Sequence, residues 1–237
     1  KIVNKHDIGI IKMEVKREED PENNFLQEVR KIANKKKIIL IFDECTSGFR
    51  KTFGGLHKFY KVKPDMAMFG KALGNGYAIT AVIGKRAIME NAKTNFISST
   101  MWTERIGTAA AIECLSVMEK MKSWEKISKT GAWLKSQWKK LARLHKLNIK
   151  IMGLDAIPNF IFQSQNHNSY KTLITQEMLK KNLLATNKIF ISVLHNKKNL
   201  QVYLNELDNV FKLISRIENG EKVKNFLKYP QSHNPYI

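Results

Sequence analysis

The sequence has few of the residues that mark secreted, metal-binding or membrane-spanning proteins. Its 237 residues include two cysteines, Cys45 and Cys114, which form neither a disulfide framework nor a metal-type spacing. It has no run of about 18 apolar residues, so no membrane span is expected. The opening KIVNKHDIGIIKMEV lacks the apolar centre and small-residue cleavage site of a secretory signal. These absences favour a cytoplasmic protein.

Acidic residues are also scarce, with 21 Asp and Glu against 41 Lys and Arg and a formal net charge of +20. A balance this basic raises the question of nucleic-acid binding. The basic residues are mostly lysines spread over helical faces, and they form no arginine-rich stripe. A solvated surface is therefore favoured over a nucleic-acid partner and over a site for an anionic substrate.

The first half of the chain contains alternating strand and helix patterns. The predicted elements are strands at 8–15, 38–42, 66–69 and 78–83, a helix from residue 25 and a short helix at 85–92. The order strand, helix, strand is the βαβ pattern of an α/β domain with a parallel sheet. We therefore predict an α/β large domain over residues 1–125.

The second half begins with a long helical pattern over residues 104–145, as one helix or as two with Gly131 as the candidate break. Beyond it, the predicted elements are strands at 147–152, 158–163 and 189–194, helices at 174–185 and 198–218, and a turn-rich tail over the surface at 225–237. This pattern predicts a smaller α+β domain over residues 126–237, which includes the long connecting helix.

Ionisable groups of opposite charge follow two of the predicted strands. Asp43 and Glu44 come directly after the strand at 38–42, and Lys71 follows the strand at 66–69. In an open α/β sheet, functional groups gather beyond the carboxyl ends of the strands. An Asp-Glu pair in this place also caps helices or binds Mg²⁺, and opposite charges also form buried ion pairs. From the residues alone, these alternatives stay open beside a shared catalytic pocket.

A lysine in a partly dry pocket is a usable nucleophile and base, because burial disfavours the ammonium form. Such lysines form Schiff bases with carbonyl groups, including the aldehyde of pyridoxal phosphate. That cofactor also needs a carboxylate against its pyridine nitrogen, because a protonated ring is the better electron sink. Asp43 at one strand end and Lys71 at another would meet both requirements.

Three segments carry a resemblance to a known family: LIFDECTSGFR, PDMAMFGKALGNGY and SSTMWTERIG. Together they resemble the signature of class III pyridoxal-phosphate aminotransferases, and the chain is most similar to the branch containing glutamate-1-semialdehyde aminomutase. The resemblance follows the family's order but covers only the second half or so of a typical member. It implies part of a fold-type I large domain, with a mostly parallel sheet and flanking helices, followed by a small C-terminal domain.

The resemblance implies a role for each of four residues. Asp43 would pair with the pyridinium nitrogen of pyridoxal 5'-phosphate. Lys71 would hold the cofactor through a Schiff base and move the proton between substrate and cofactor. Thr100 would reach the cofactor phosphate of the neighbouring subunit, and Cys45 would pack against the ring face. Glu44, next to Asp43, is interpreted as structural.

The sequence departs from the family pattern around the substrate pocket. Thr46 stands where some relatives have a glutamine that bonds the cofactor's 3-hydroxyl. The stretch WTERIG stands where many relatives have GGNP. It supplies Trp102, Glu104 and Arg105 as candidates to face the substrate, with an ion pair that pins the loop as the equal alternative for Arg105.

The resemblance implies an aminotransferase or aminomutase that acts on an amino donor and a carbonyl acceptor, as a cytoplasmic homodimer with shared sites. In the family, the phosphate-cradling turn and the ring-stacking aromatic precede the strand at 8–15, so the chain is expected to be truncated at its N-terminus. The alternative is a non-catalytic remnant or fragment that acts as a structural or interaction protein. His195 is a weaker candidate for the mouth of the active site.

Overall fold

The sheet predicted for the first half is present in the computed structural model, which describes residues 2–232. These residues divide into two compact units, with the boundary between Glu125 and Lys126. The elements of the first unit are α1 (Ile2–Lys5), β1 (Ile10–Glu14), α2 (Phe25–Lys36), β2 (Ile39–Asp43), β3 (Met66–Phe69), β4 (Ala81–Gly84), α3 (Arg86–Met89) and α4 (Arg105–Met121), with 3₁₀ helices at Leu56–Lys58, Lys71–Leu73 and Glu90–Thr94. Helix α5 (Ser123–Leu144) begins in the first unit and continues into the second, whose other elements are β5 (Ile149–Met152), β6 (Asn159–Phe162), α6 (His167–Leu179), α7 (Lys197–Glu218) and a 3₁₀ helix at Val223–Asn225.

Strands β1 to β4 follow one another in chain order across a single sheet. Strands β1, β2 and β3 run parallel, and β4 runs antiparallel to β3. The apolar run at 38–42 forms the interior strand β2, in which Leu40 and Phe42 are fully buried. The predicted α/β class with a mostly parallel sheet is confirmed. Because β2 and β3 are adjacent and parallel, their carboxyl ends lie at the same edge of the sheet.

Asp65 joins helix α2 to this sheet through three charged or backbone donors. Its Oδ2 accepts from Arg30 Nη1 at 2.7 Å and from the Leu40 N–H at 2.8 Å, and its Oδ1 lies 2.6 Å from Lys85 Nζ. Burial alone would raise the pKa of this carboxyl, but these donors outweigh it and hold the pKa at about 2. Asp65 is therefore an ionised anchor between α2, β2 and the residue after β4.

The second unit has its own core, centred on aromatic rings. Trp138 meets Phe160 edge-on with 4.7 Å between ring centroids, and Phe160 meets Phe211 in the same way at 5.7 Å. The buried Nε1 of Trp138 donates to the hydroxyl of Tyr203 over 3.1 Å. Burial raises the pKa of the Tyr203 hydroxyl, which therefore stays neutral. Helix α5 thus packs on β6 and α7 within the second unit.

The break in the long helical pattern lies at Lys122, so the prediction of a break at Gly131 is wrong. Lys122 adopts the left-handed conformation, with φ at 49°, and ends α4. Gly131 lies inside α5, where a β-carbon would come within 1.6 Å of the carbonyl oxygen of Asp155. The glycine therefore serves a close backbone approach rather than a helix end.

The predicted strand at 189–194 is also wrong, because its backbone pairing is interrupted. The N–H groups of Ile189 and Ile191 donate to the carbonyls of Pro158 and Ala156. Pro158 has no N–H to return, so no continuous ladder forms. An isolated bridge joins Asn159 to Lys188, the residue just before this segment.

Helix α6 runs from His167 to Leu179, earlier than the predicted 174–185. Its buried positions include Tyr170, Leu173, Ile174 and Met178, whose helical spacing starts before residue 174. The polar residues of its first turn hide this start in the sequence.

Part of the predicted surface tail packs along α6. The N–H of Lys228 donates to Gln176, and the N–H of Ser232 donates to Thr172. Residues 233–237 of the predicted tail lie outside the described residues. Over residues 2–232, no helix combines the length and the apolarity that a membrane crossing needs.

Candidate functional site

The sheet places Asp43 and Lys71 at one edge. Asp43 is the last residue of β2, in register with Met68 of β3, and Lys71 comes two residues after the end of β3. Lys71 has a φ of 43°, in the left-handed region that residues other than glycine rarely adopt. Such a conformation costs on the order of 1–3 kcal/mol and is found at functional sites. Nine other non-glycine residues among those described also have a positive φ, so the conformation alone does not single out Lys71.

Asp43 has a partner for each carboxylate oxygen. Its Oδ1 accepts the N–H of Cys45 at 3.1 Å, and its Oδ2 lies 3.1 Å from Lys12 Nζ. Burial raises the pKa of Asp43, but the Cys45 N–H and Lys12 outweigh it and leave the pKa below its ordinary value. The group is therefore a carboxylate, able to stabilise a cation or to accept from an N–H donor.

The amine of Lys71 donates to the hydroxyl of Thr46, with 2.9 Å between Nζ and Oγ1. The Lys71 residue is exposed, so the described residues do not form the partly dry pocket that the sequence predicted. The reason is local: the glycine turn after it, residues 74–78, lies mostly on the surface and leaves the amine uncovered. Thr46 is thus the group that orients the amine.

Cys45 is close enough to both the Asp43 carboxylate and the Lys71 amine for their charges to act on its thiol. Burial and the neighbouring Asp43 raise the pKa of its thiol, and the positive charges of Lys71 and Lys12 act in the opposite direction. The thiol is therefore neutral at neutral pH and presents a small, polarisable surface. The structure brings Asp43, Cys45 and Lys71 together, while their roles toward a cofactor stay predictions.

Thr100 is not joined to this group. It lies in an exposed turn ahead of α4, and no hydrogen bond among residues 2–232 links it to Asp43, Cys45 or Lys71. The neighbouring Trp102 is also exposed. Thr100 therefore does not act on this edge of the sheet within the described residues, and a function there would require another protein surface, such as that of a second copy of the chain.

Glu104 caps a helix. Its carboxylate accepts the N–H groups of Ile106 and Gly107 at 2.6 and 3.0 Å, as the N-cap of α4. Its role as a substrate-facing residue stays a prediction beside this capping role. Arg105 is exposed at the start of α4 and makes no ion pair within the described part of the chain, so the alternative of a pinning ion pair has no support.

Glu44 organises the loop that follows Asp43. Its fully buried carboxylate accepts from the Ser47 hydroxyl and from the N–H groups of Leu56 and His57, and it lies 2.8 Å from His57 Nδ1. Burial raises its pKa, but these partners outweigh it and leave the pKa below the ordinary value. The structural interpretation of Glu44 agrees with this geometry.

Sequence reasoning missed two partners of the acidic residues, His57 for Glu44 and Lys12 for Asp43. His57 lies 13 positions after Glu44 along a loop, and no spacing rule pairs residues across such a loop. Lys12 had a usable signal. It is a charged residue inside an apolar strand pattern, on a strand parallel to the one that ends at Asp43.

His195 lines a cavity of about 760 Å³ within the second unit. The N–H of Ser192 donates to its Nδ1 at 2.9 Å, so Nδ1 is the acceptor and the ring proton lies on Nε2. Apolar residues form much of the wall, among them Leu183, Ile189 and Phe190. The placement of His195 at an active-site mouth stays a prediction.

The group at the sheet edge fits the ring end of pyridoxal phosphate. Asp43 offers a carboxylate to a ring N–H, Lys71 offers an amine to an aldehyde, and the charges of both act on Cys45. The described residues place no cluster of amide or hydroxyl donors there for a phosphate, since Thr100 is apart. The chemistry of the donor set is therefore that of a lysine-bound cofactor ring.

Comparison with known proteins identifies relatives over most of the chain. The chain is 32% identical over 177 residues to 3-aminobutyryl-CoA aminotransferase of Cloacimonas acidaminovorans (strain Evry), which covers 74% of this chain and 42% of that protein. It is 26% identical over 212 residues to glutamate-1-semialdehyde 2,1-aminomutase of Wigglesworthia glossinidia brevipalpis, covering 82% and 49%. The chain thus spans about half the length of these curated relatives.

Solved structures share the fold. The PLP internal aldimine form of the FumI protein of Sphingopyxis sp. MTA144 matches with a TM-score of 0.85 and 21% identity, over 95% of this chain and 57% of that one. Acetylornithine aminotransferase of Elizabethkingia anophelis matches with a TM-score of 0.76 and 22% identity, over 89% and 58%. These likenesses confirm the fold-type I prediction.

The family model described as Aminotransferase class-III matches residues 19–217. This match covers most of both units, including the strand ends that carry Asp43 and Lys71. The resemblance read from the three sequence segments is therefore confirmed. The chain belongs to the class-III aminotransferases.

Proposed function

We propose that this chain carries the lysine-bearing part of a pyridoxal-phosphate enzyme that transfers an amino group, as an aminotransferase or aminomutase. The observation that carries the proposal is the placement of Asp43 and Lys71 at the carboxyl ends of adjacent parallel strands, where the charges of both act on Cys45. When bound, the cofactor supplies an aldehyde that combines with amines and a protonated ring that accepts electrons.

Lys71 performs two tasks in this proposal. Its Nζ would hold the cofactor as a Schiff base, and once free it would serve as the base that carries a proton to and from the substrate. Thr46 orients this nitrogen, since its hydroxyl is the acceptor 2.9 Å away.

Asp43 holds the far side of the ring. Its carboxylate would accept from the ring N–H, and its lowered pKa keeps it ionised for that task at neutral pH. The neutral thiol of Cys45 packs against the ring face. Glu44 contributes indirectly, because it fixes the loop that begins at Cys45.

We also propose that the protein forms a homodimer and that its two units belong to different domains of the enzyme. Residues 1–125 would be the second half of the cofactor domain, and residues 126–237 the small C-terminal domain. The segment that bears Thr100 also exposes Phe96, at 97%, and Trp102, at 63%. Such exposed apolar side chains favour a protein contact, through which Thr100 would reach the phosphate of the partner's site. A cytoplasmic location belongs to the same proposal.

The substrates are an amino donor and a carbonyl acceptor. The two named relatives act on different compounds, a coenzyme A thioester and a semialdehyde, according to their names. Residues 102–107, which the sequence resemblance associates with the substrate pocket, are mostly exposed here. The class of reaction is therefore proposed without a choice between these substrates.

Covalent trapping of the cofactor tests the proposal. The protein is incubated with pyridoxal phosphate and reduced with borohydride, and the modified lysine is located by peptide mass mapping. We expect one stoichiometric label on Lys71, absent in Lys71→Ala and retained in the control Lys120→Ala, which removes an exposed lysine of α4. A label spread over many lysines, or unchanged in Lys71→Ala, contradicts the enzyme proposal and favours the non-catalytic alternative.

A further inference from the structure

Lys12 on β1 is a cation that faces Asp43 from the neighbouring strand. Its Nζ lies 3.1 Å from Asp43 Oδ2, and the side chain is 52% exposed. In the parallel register Lys12 is opposite Ile41, two residues before Asp43. Because alternate residues share a face of the sheet, Lys12 and Asp43 are diagonal neighbours on the same side.

The other groups around Asp43 do not compete with Lys12 as counter-ions. Lys71, the other cation at this edge of the sheet, donates to Thr46 and makes no ion pair with Asp43 within residues 2–232. Glu14, in register with Asp43 on β1, bonds Arg17 at 2.8 Å. Met68, its register partner on β3, carries no charge. The thiol of Cys45 is neutral, and its backbone N–H uses the other oxygen, Oδ1. Within residues 2–232, the ion pair at Oδ2 is therefore made by Lys12 alone.

We propose that Lys12 is the counter-ion of Asp43 before the cofactor binds, and that it competes with the ring N–H for Oδ2. This inference rests on the proposed function, because it concerns the same carboxylate. The flexible stem of lysine lets Nζ leave the carboxylate for solvent. A protonated ring nitrogen beside a retained Nζ would place two positive charges together, so binding of the ring displaces the amine. Lys12 is a positioning residue, because its ion pair with Asp43 sets how readily that carboxylate can accept the ring N–H.

The first test measures Asp43 itself, without cofactor. The carboxyl carbon of Asp43, assigned with Asp43→Asn, is titrated by ¹³C NMR in the wild type, Lys12→Gln and the control Lys31→Gln, which changes an exposed lysine of α2. We expect the titration midpoint of Asp43 to rise in Lys12→Gln and to stay in place in Lys31→Gln. If the titration midpoint of Asp43 does not move in a folded Lys12→Gln protein, the claim that Lys12 is its counter-ion is overturned.

The second test measures binding of pyridoxal phosphate by equilibrium dialysis. Because a partly exposed ion pair is released on binding, Lys12→Met and Lys12→Gln should bind about two- to fivefold more tightly than wild type. Equal or weaker binding overturns the competition. If no protein binds the cofactor while the Asp43 midpoint still moves, the proposed function fails and the competition with it, but the counter-ion stands. If all bind alike and the midpoint does not move, this inference alone fails.

Discussion

The amine of Lys71 donates a hydrogen bond to the hydroxyl of Thr46, with 2.9 Å between Nζ and Oγ1. Thr46 lies in the loop after β2, and Lys71 lies in the turn after β3. The bond therefore joins the two strand ends that carry the candidate site. This hydrogen bond is therefore the contact that orients the flexible Lys71 side chain.

Replacing Thr46 by valine tests that contact, since valine keeps the branched shape and removes the acceptor. We expect kcat for amino transfer to fall about fivefold with little change in KM, because one hydrogen bond of about 1 kcal/mol no longer orients the amine. Thr46→Ser keeps the hydroxyl and serves as the matched control, with a rate near that of wild type. Equal rates for the valine and serine variants would show that Thr46 does not position Lys71.

The strand ends were the part of the site that sequence reasoning could reach. An apolar run of strand length followed by Asp43, and another followed by Lys71, places both groups at one sheet edge as soon as the strands are parallel and adjacent. The exposure of Lys71 could not be read in this way. The exposure of Lys71 depends on which residues pack over the glycine turn. The local sequence pattern does not show whether residues from distant parts of the chain do so.

Replacing Glu44 by glutamine should destabilise the first unit. The buried carboxylate accepts from Ser47, Leu56 and His57, and an amide would turn an NH₂ group toward some of these donors. We expect the free energy of unfolding to fall by about 2 kcal/mol, measured by urea denaturation at pH 7. Glu113→Gln, at an exposed position of α4, is the control and should change little.

The destabilisation caused by Glu44→Gln should also depend on pH, in a direction that the pKa of Glu44 determines. The pKa of Glu44 is lowered in the folded protein, because its hydrogen-bond donors outweigh burial. Its stabilisation is therefore present above the ordinary glutamate pKa of about 4.3 and is lost as the pH falls below it. The difference in unfolding free energy between wild type and Glu44→Gln should become smaller in acid. A constant difference from pH 7 to pH 3 would contradict a stabilising, ionised Glu44 carboxylate.

Partners across loops and close backbone approaches were beyond the sequence. His57 and Glu44 meet only because a loop of 13 positions folds back on itself. Pro158 breaks the pairing of residues 189–194 from another segment, so the local apolar pattern still predicted a strand. In both cases the contact is made by a residue far along the chain, which helical or strand periodicity does not link to its partner.

Asp65→Asn should remove an acid-sensitive part of the stability. The pKa of Asp65 is about 2 in the folded protein, since the donors Leu40, Lys85 and Arg30 outweigh burial, against about 3.9 in an unfolded chain. Its contribution of about 2 kcal/mol is present above pH 4 and lost as the pH falls toward 2. Urea denaturation across this range should show a weaker pH slope in Asp65→Asn than in wild type. Asp7→Asn, at an exposed position, should keep the wild-type slope.

Gly131→Ala should destabilise the second unit, although alanine normally favours a helix over glycine by about 1 kcal/mol. The new β-carbon would lie within 1.6 Å of the carbonyl oxygen of Asp155, a backbone atom that cannot rotate away. We expect the unfolding free energy of this unit to fall by about 3 kcal/mol, at the upper end for overpacking, in urea denaturation followed by tryptophan fluorescence. Gly9→Ala, with nothing within 4 Å of its added carbon, is the matched control and should be nearly neutral. A stabilised Gly131→Ala protein would mean that α5 and the Asp155 loop are not in contact, and that the glycine is a helix weakness after all.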